Sequence, residues 1–325
     1  MDRRTLLKTV SLGALAPAFA INPANAAPAN ESALNAALNS FAQLSPGNAA
    51  ASVVVERNNG IKHYGVDADK PLFVGSAVKT FILAQYLLDV EKGRLSEGTQ
   101  ASVGPEVWSP GSSVLIDLKG TTTAKSILEA MITHSDNTAT DVAINAVGPA
   151  RVRDLIRSAN LKQTRIPDST RKLFSYLSGA KSGEDLGWAG MQKMMAETAP
   201  GNSRPAINDH QTMVSTAAEM SQWYQHVLAG KLFEKPETLK EFKRISAMAD
   251  AIPAMLPDDT VGYGKGGSID WGNFHCFSVA GQMVLPTHKA NFCFIVNWTG
   301  PDDSVPRTFT SFKELGQKAL ALFST

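Results

Sequence analysis

A serine and a lysine lie three positions apart in the segment Ser76-Ala77-Val78-Lys79. On a helix this spacing places both side chains on one face and within mutual reach. Serine is a weak nucleophile until a base removes its proton, and a lysine can be that base when burial and neighbouring positive charge lower its pKa. The start of a helix also offers N–H groups to an oxyanion. The pair is a candidate nucleophile and base, although an N-cap followed by a solvated lysine has the same pattern.

A second polar segment, Ser135-Asp136-Asn137, follows an apolar stretch that ends at His134. It could supply a second hydroxyl for proton transfer and an amide that orients a substrate carbonyl. Serine, aspartate and asparagine also favour the junction between two helices, so a helix end followed by an N-cap is the alternative. His134 itself is interpreted as a helix-end residue.

A third segment, Lys265-Gly266-Gly267-Ser268, lies in a predicted strand. Glycines weaken a strand, and they commonly allow another backbone or a ligand to approach closely. The alternative is a β-bulge or turn beside an exposed lysine.

The elements that must position these segments follow from hydrophobic periodicity. Strands are predicted at both ends of the chain, helices between them and a closing helix after the last strand. The predicted strands cover 51–56, a partner ending at 64, 262–269, 275–285 and 290–298. The predicted helices cover 76–92, 124–134, 138–147, 150–159, 215–229, 236–249 and 312–323. This order predicts an antiparallel sheet that contains both ends of the chain, a helical second lobe and an active site between them.

Taken in this order, Ser-x-x-Lys, Ser-Asp-Asn and Lys-Gly-Gly resemble the three motifs of penicillin-binding proteins and serine β-lactamases, especially class A. The resemblance covers nearly all of residues 35–324. It implies an α+β fold with a five-stranded antiparallel sheet flanked by helices, beside an all-helical lobe.

The resemblance also implies roles for individual residues. Ser76 would attack a carbonyl and become acylated, with Lys79 as its base. Ser135 would pass a proton to the leaving nitrogen, Asn137 would hold the substrate amide, and Lys265 would help to place the substrate's carboxylate.

Further roles implied by the resemblance belong to the backbone and the second motif. The N–H groups of Ser76 and Ser268 would form an oxyanion hole, and Gly267 would lie in the substrate-binding strand between Lys265 and Ser268. Asp136 would be structural, bracing its loop.

The third motif departs from the family at Gly266, where the family has threonine or serine. The missing hydroxyl helps to bind the substrate carboxylate. Carboxylate recognition is therefore expected to be weaker, or to depend on a neighbour such as Ser268.

A second departure concerns the glutamate with which class A enzymes activate the deacylating water. The usual interval from Ser135 leads to Arg171, and residues 164–182 contain no glutamate. Asp168 is the only acid in that stretch and is a candidate replacement, although a salt-bridged loop residue is the alternative. Fast hydrolysis by the usual route is therefore not expected, whereas acylation of Ser76 is.

Composition excludes several other functions. The chain has 325 residues, 43% hydrophobic and 19% charged, with a formal net charge of +1, two cysteines and six histidines. A near-neutral chain has no general attraction to nucleic acid or anionic membranes. The cysteines are too few for a disulfide scaffold, and the histidines show no metal-ligand spacing. We expect a monomer that acts on a small molecule without cofactor, metal or stable membrane insertion.

Residues 1–26 have the pattern of an export signal. Arg3-Arg4 precedes a mild apolar stretch, and Ala24-Asn25-Ala26 offers a small-x-small cleavage site. The paired arginines resemble a twin-arginine signal, which implies an exported bacterial protein, periplasmic or extracellular, with one hydrolase domain over 27–325. In an oxidising compartment Cys276 and Cys293 could pair, or they could remain buried free thiols.

These observations predict a serine hydrolase that acts through an acyl-enzyme, with β-lactam hydrolysis as its activity and atypical deacylation. An esterase or a D-alanyl-D-alanine peptidase is the first alternative, because the missing glutamate and Gly266 both favour it. A penicillin-binding protein that does not turn over is the second.

Overall fold

The structure is a computed structural model that describes residues 31–196 and 203–323. The predicted export signal, residues 1–26, lies outside the described residues.

Helices and strands follow one another along the chain in the predicted order. The helices are α1 (Glu31–Ala42), α2 (Lys79–Glu91), α3 (Ala124–Thr133), α4 (Asn137–Val147), α5 (Pro149–Ser158), α6 (Thr170–Leu177), α7 (Gly187–Ala196), α8 (Ala217–Leu228), α9 (Pro236–Ser246) and α10 (Ser304–Ala321). The strands are β1 (Ala49–Arg57), β2 (Gly60–Val66), β3 (Leu72–Phe73), β4 (Gln100–Val103), β5 (Gly120–Thr123), β6 (Val214–Ser215), β7 (Val261–Trp271), β8 (Phe274–Val284) and β9 (Lys289–Thr299).

Five of these strands form one sheet in the order β2-β1-β9-β8-β7. All neighbouring pairs are antiparallel, and β1 lies beside β9, with Ser52 opposite Cys293. The prediction of a five-stranded antiparallel sheet that unites both ends of the chain is confirmed.

Helices cover both faces of this sheet, because alternate side chains of a strand point to opposite sides. Ser52 of β1 forms a hydrogen bond of 2.8 Å between its hydroxyl and that of Ser221 in α8. On the other face, the ring of Phe294 in β9 packs against Phe41 of α1, which in turn contacts Phe312 of α10. The predicted layer of helices on the sheet is confirmed.

The second lobe is built around α2. Its side chains are buried from Lys79 to Asp89, on every side of the helix, as expected for a helix surrounded by other elements. Helices α3, α4, α5 and α9 all pack against it or against one another. The nucleophile segment therefore enters a fully packed helix.

The structure corrects three boundaries or omissions. The last helix begins at Ser304, earlier than the predicted 312, because Pro306 lies in its first turn, where a proline is tolerated. Ser76 lies in a short 3-10 helix, Gly75–Val78, that leads into α2. Helices α1, α6 and α7 and the short strands β3 to β6 were not predicted.

Cys276 and Cys293 are both buried free thiols. They lie on adjacent strands, but Cys276 is opposite Asn297 and Cys293 is opposite Ala280. This register separates them along the ladder, so of the two alternatives the sequence left open, the structure has the free thiols.

No helix within the described residues is both long and apolar enough to cross a membrane.

Candidate functional site

Ser76 lies where the 3-10 helix meets strand β7, and two glycines allow the contact. Gly75 has a positive φ of 51°, and a Cβ at this position would lie 2.9 Å from the backbone N of Ser268. A Cβ on Gly267 would overlap the carbonyl oxygen of Val74 and lie 2.7 Å from the backbone N of Ser76. The N–H groups of Ser76 and Ser268 are thus brought to the same contact between helix and strand.

Lys79 is completely buried, and its ammonium nitrogen connects the first motif to the second. Nζ lies 2.5 Å from the carbonyl oxygen of Ser135, 3.3 Å from the Ser135 hydroxyl and 2.7 Å from Oδ1 of Asn137. Lys79, one helical turn after Ser76, therefore contacts the Ser135 hydroxyl, which is predicted to carry the proton to the leaving group.

Two buried lysines share the electrostatics of the site. Burial, and then the positive charge of Lys265, hold the pKa of Lys79 well below its ordinary value, although Asp136 and Asp141 act in the opposite direction. Burial lowers the pKa of Lys265 to about 7, against the effect of the Asp250 carboxylate. A neutral Lys79 can accept a proton, and this is the state that general-base chemistry requires.

Asp136 holds the second motif in place. Its Oδ2 accepts hydrogen bonds from the backbone N–H groups of Ser113, Val114 and Leu115 at 2.8 to 3.1 Å. Its Oδ1 accepts the N–H of Ala139 and caps α4. Because the carboxylate is fully buried, these bonds make it a brace between the helix and the loop before β5.

The two flanking residues of that motif remain partly exposed. Ser135 adopts a left-handed backbone conformation with a φ of 58°, between the end of α3 and the start of α4. The amide of Asn137 donates from Nδ2 to the carbonyl oxygen of Pro110 at 2.6 Å and accepts from Lys79. The helix-junction alternative is thus correct as geometry, and the same junction presents both side chains to Lys79.

The third motif lies within β7, where Lys265 is buried and donates from Nζ to the carbonyl oxygen of Gly266 at 2.8 Å. A Cβ on Gly266 would overlap the Cβ of Ala251. Ala251 follows α9 and packs over the strand at the position where the family has a hydroxyl-bearing side chain. The alternative of an exposed lysine in a bulge or turn is wrong.

Asp168, the candidate deacylating base, has other partners. Its Oδ1 accepts from Arg153 at 2.6 Å and its Oδ2 accepts from Gln211 at 2.8 Å. Burial favours the neutral acid, but these hydrogen bonds outweigh it and hold the pKa of Asp168 below its ordinary value. Asp168 also lines a different cavity from the one lined by Ser135 and Lys265. The structure favours the salt-bridged interpretation.

Arg171, at the interval where a glutamate was expected, is a structural residue. Its guanidinium donates to both carboxylate oxygens of Asp185 and to the carbonyl oxygens of Pro105 and Trp108. An arginine stays protonated in proteins and cannot act as a base. The side chain ties the segment after it to the loop before β5.

Two carboxylates at this site, those of Asp141 and Asp250, were not predicted from the sequence. Asp141, one turn after Asn137, accepts the backbone N–H groups of Thr170 and Arg171 and so attaches α6 to α4. His134 forms a hydrogen bond of 2.9 Å between its Nδ1 and Oδ2 of Asp250. Asp141 lies at i+4 from Asn137, a signal that could have been used, whereas Asp250 is far from His134 in the chain.

A cavity of about 340 Å³ opens beside Ser135 and the third motif. It is lined by charged and polar groups near the motifs and by aromatic side chains of β8 and α10, namely His134, Ser135, Asp250, Lys265, Ser268, Phe277, Phe309, Phe312 and Lys313. This volume is within the range of small-molecule sites.

Comparison with known proteins agrees with this geometry. The family model described as "Beta-lactamase enzyme family" matches residues 31–320. The sequence has no significant match among curated proteins.

Solved structures share the fold. The chromosome-encoded β-lactamase of Vibrio parahaemolyticus is 18% identical with a TM-score of 0.68, covering 89% of this chain and 98% of its own. An acyl-enzyme complex of a point mutant of PBP-A with penicillin G is 18% identical with a TM-score of 0.66, covering 90% and 96%. A class A β-lactamase variant of the last common ancestor of Gram-negative bacteria is 19% identical with a TM-score of 0.67, covering 90% and 99%.

Proposed function

The chain belongs to the β-lactamase enzyme family, and we propose that it is a serine hydrolase that forms an acyl-enzyme on Ser76 and releases the acyl group slowly. The observation that carries this proposal is the position of Lys79, buried, depressed in pKa and in contact with the Ser135 hydroxyl.

In the acylation step, neutral Lys79 accepts the proton of the Ser76 hydroxyl as the serine oxygen attacks the substrate carbonyl. The developing oxyanion lies at the backbone N–H groups of Ser76 and Ser268. As the carbon–nitrogen bond breaks, Ser135 donates its proton to the leaving nitrogen and takes one from Lys79 at 3.3 Å. The serine ester and the free amine are the products, and Lys79 is again neutral.

Deacylation lacks the glutamate that class A enzymes use. Asp168 is engaged by Arg153 and Gln211, and Arg171 cannot accept a proton. Water must therefore be activated without a dedicated carboxylate, which supports slow turnover. One similar solved structure holds penicillin G as an acyl-enzyme, in a mutant of PBP-A.

A D-alanyl-D-alanine peptidase or an esterase is the second candidate. The observation that favours the esterase is Ala251, which occupies the position of the hydroxyl that helps β-lactam enzymes to bind a carboxylate. A D-alanyl-D-alanine peptide also ends in a carboxylate, so the peptidase is favoured only by the missing glutamate. A non-turning-over penicillin-binding protein is the limit in which the acyl group is never released.

Intact mass spectrometry distinguishes these candidates. The protein without residues 1–26 is mixed with a chromogenic cephalosporin and sampled over time, beside Ser76→Ala and the matched control Ser40→Ala at an exposed position of α1. We expect one added equivalent in the native chain and in the Ser40 variant, but none in the Ser76 variant.

The time course then assigns the activity. Colour with a transient adduct indicates a β-lactamase, and a persistent adduct indicates a penicillin-binding protein. No adduct and no colour would contradict the β-lactam proposal and leave hydrolysis of a short-chain ester or a D-Ala-D-Ala peptide to be measured.

We also propose that residues 1–26 direct export of the folded protein. The paired Arg3-Arg4 supports this, since a twin-arginine receptor reads both guanidinium groups. Replacing both arginines with lysine should leave the protein in the cytoplasm of an expressing bacterium, as measured by cell fractionation. Unchanged export of that variant would contradict the proposal.

A further inference from the structure

The cavity beside Ser135 has two chemically distinct parts. A polar rim near the motifs contains His134, Asp250 and Lys265. An apolar wall consists of Phe277 and Phe309, whose ring centroids are 5.2 Å apart, together with Phe312. The cavity lies on the side of the proton donor to the leaving nitrogen, so it adjoins the leaving-group half of the substrate.

The rim lacks one ligand for an anion. Lys265 supplies positive charge, but Gly266 has no hydroxyl and cannot gain one, because Ala251 occupies the space that a side chain would need. A carboxylate placed against Lys265 therefore requires another donor if it is to be held by more than one group.

The segment that contains Ala251, and so leaves no room for a hydroxyl at position 266, also contributes Asp250 to a polar pair with His134 at the rim. Asp250, next to Ala251, accepts a hydrogen bond from Nδ1 of His134 at 2.9 Å, and its backbone N–H donates to the carbonyl oxygen of Thr133 at 3.2 Å. His134 directly precedes Ser135 in the chain. Within the described residues, its Nε2 makes no hydrogen bond and is free for a ligand.

The contact between His134 and Asp250 is exposed, and exposed pairs of this kind contribute little to stability. The His134 and Asp250 side chains are 50% and 65% exposed. A carboxylate that accepts from Nδ1 fixes the orientation of the imidazole, and a protonated imidazole donates from both ring nitrogens, so Nε2 can then donate to an anion. Both residues line the same cavity as Lys265.

We propose that His134, oriented by Asp250, replaces the missing hydroxyl and, with Lys265, binds the carboxylate of the substrate's leaving group. Phe277 and Phe309 receive the apolar body that carries this carboxylate. The proposal rests on the proposed function, and what it adds is His134, its partner Asp250 and the apolar wall as the groups that would select a carboxylate-bearing leaving group.

A matched substrate pair tests the proposal. Rates of Ser76 acylation are measured for benzylpenicillin and for its methyl ester, which lacks the negative charge. We expect His134→Ala to lower the rate with the acid by about ten- to a hundredfold, as for loss of a hydrogen bond to a charged group, and to leave the ester within about twofold. Asp250→Asn should have a smaller effect in the same direction.

Two further variants complete the experiment. His63→Ala, an exposed histidine on β2, is the matched control and should not change the acid-to-ester ratio. Adding Ala251→Gly and Gly266→Ser to His134→Ala makes room for a hydroxyl and should restore much of the preference for the acid.

Each negative outcome has a separate meaning. An unchanged acid-to-ester ratio in His134→Ala, with acylation intact, overturns the role of His134 and leaves the proposed function standing. Failure of the native chain to form an adduct with either compound overturns the proposed function, and this proposal with it.

Discussion

Lys79 and Lys265 are both buried at one site, and the positive charge of Lys265 helps to lower the pKa of Lys79. Keeping two ammonium groups protonated in a poorly solvated site is unfavourable, because burial and a neighbouring like charge both lower the pKa of an ammonium group. Burial lowers the pKa of both lysines, that of Lys79 to well below its ordinary value and that of Lys265 to about 7. Two residues of the same type can therefore act differently at this site, Lys79 as a base and Lys265 as a cation, because their surroundings differ.

Removing the charge at position 265 should change the base. In Lys265→Ala, the repulsion that depresses the pKa of Lys79 is lost, so that pKa rises and Lys79 is neutral only at higher pH. The acidic limb of acylation by an uncharged ester should move to higher pH. Stopped-flow or mass-resolved rates between pH 4 and 9 measure it. Lys62→Ala, on an exposed strand, is the control, and an unmoved limb would refute the coupling.

The native chain should prefer charged substrates only at lower pH. Lys265 is protonated below about pH 7 and neutral above it. As pH rises above 7, its charged fraction falls by about tenfold per unit, so acylation by a carboxylate-bearing substrate should fall relative to that by its ester. The ratio of the two rates as a function of pH is the measurement. A ratio that stays constant from pH 6 to 9 would show that Lys265 keeps its proton.

The residues of the candidate site could be predicted from the sequence, since three short motifs name Ser76, Lys79, Ser135, Asn137 and Lys265. The geometry brings all of them to one place, while their roles remain proposals. Ala251, His134 and Asp250 could not be predicted as a group. Their contacts join α3, the segment after α9 and β7, and no local pattern encodes such a contact.

At the scale of elements, the close contact of β7 with the 3-10 helix is the feature on which the site depends. A side chain at Gly267 would force the strand away from Val74 and Ser76. One N–H group from each element is proposed to bind the same oxyanion. If the strand and the 3-10 helix move apart even slightly, both of these hydrogen bonds become weaker.

Gly267→Ala should therefore impair chemistry more than folding. We expect acylation of Ser76 to fall by about a hundredfold, as for loss of one oxyanion donor, and the free energy of unfolding to fall by about 1 to 3 kcal/mol. Acylation rates and urea denaturation measure the two effects. Gly98→Ala is the matched control, because a Cβ at this loop position would meet only the hydroxyl of Ser96, at 3.6 Å. Normal acylation in Gly267→Ala would show that the contact is not needed.

The larger elements could be predicted because their apolar periodicity is long and strong. Helices α3 to α5 and strands β7 to β9 lie within a few residues of their predicted positions. The shorter elements were missed for physical reasons. Helix α7 contains Gly187 and Gly190, which disfavour a helix, and β3 and β6 have two residues each.

At the scale of the whole molecule, the burial of the two cysteines shows that the sheet is closely packed against its neighbours. Cys276 donates from Sγ to the carbonyl oxygen of Phe73 at 3.0 Å, and Cys293 is fully buried. Burial raises the pKa of both thiols. A thiol must ionise to react, so neither should be reactive in the folded state.

Thiol titration of the protein without residues 1–26 tests this. We expect no reaction with a disulfide reagent in the native state, and two reactive thiols after unfolding in urea. The register of β8 and β9 places the cysteines about 13 Å apart along the strands, too far for a disulfide. A mass lower by two hydrogens, or rapid labelling of the native protein, would contradict the arrangement.

The pairing of β1 with β9 has a consequence for synthesis. Residues 49–56 find their partners only at residues 289–296, so the ribosome must complete nearly the whole chain before the centre of the sheet can close. Such distant contacts make folding slow, because closing a long loop costs conformational entropy before the non-local contacts can stabilise the chain. A nascent chain shorter than 289 residues keeps the β1–β2 hairpin with an open edge, so exposure to chaperones and proteases lasts until the last strand has been made.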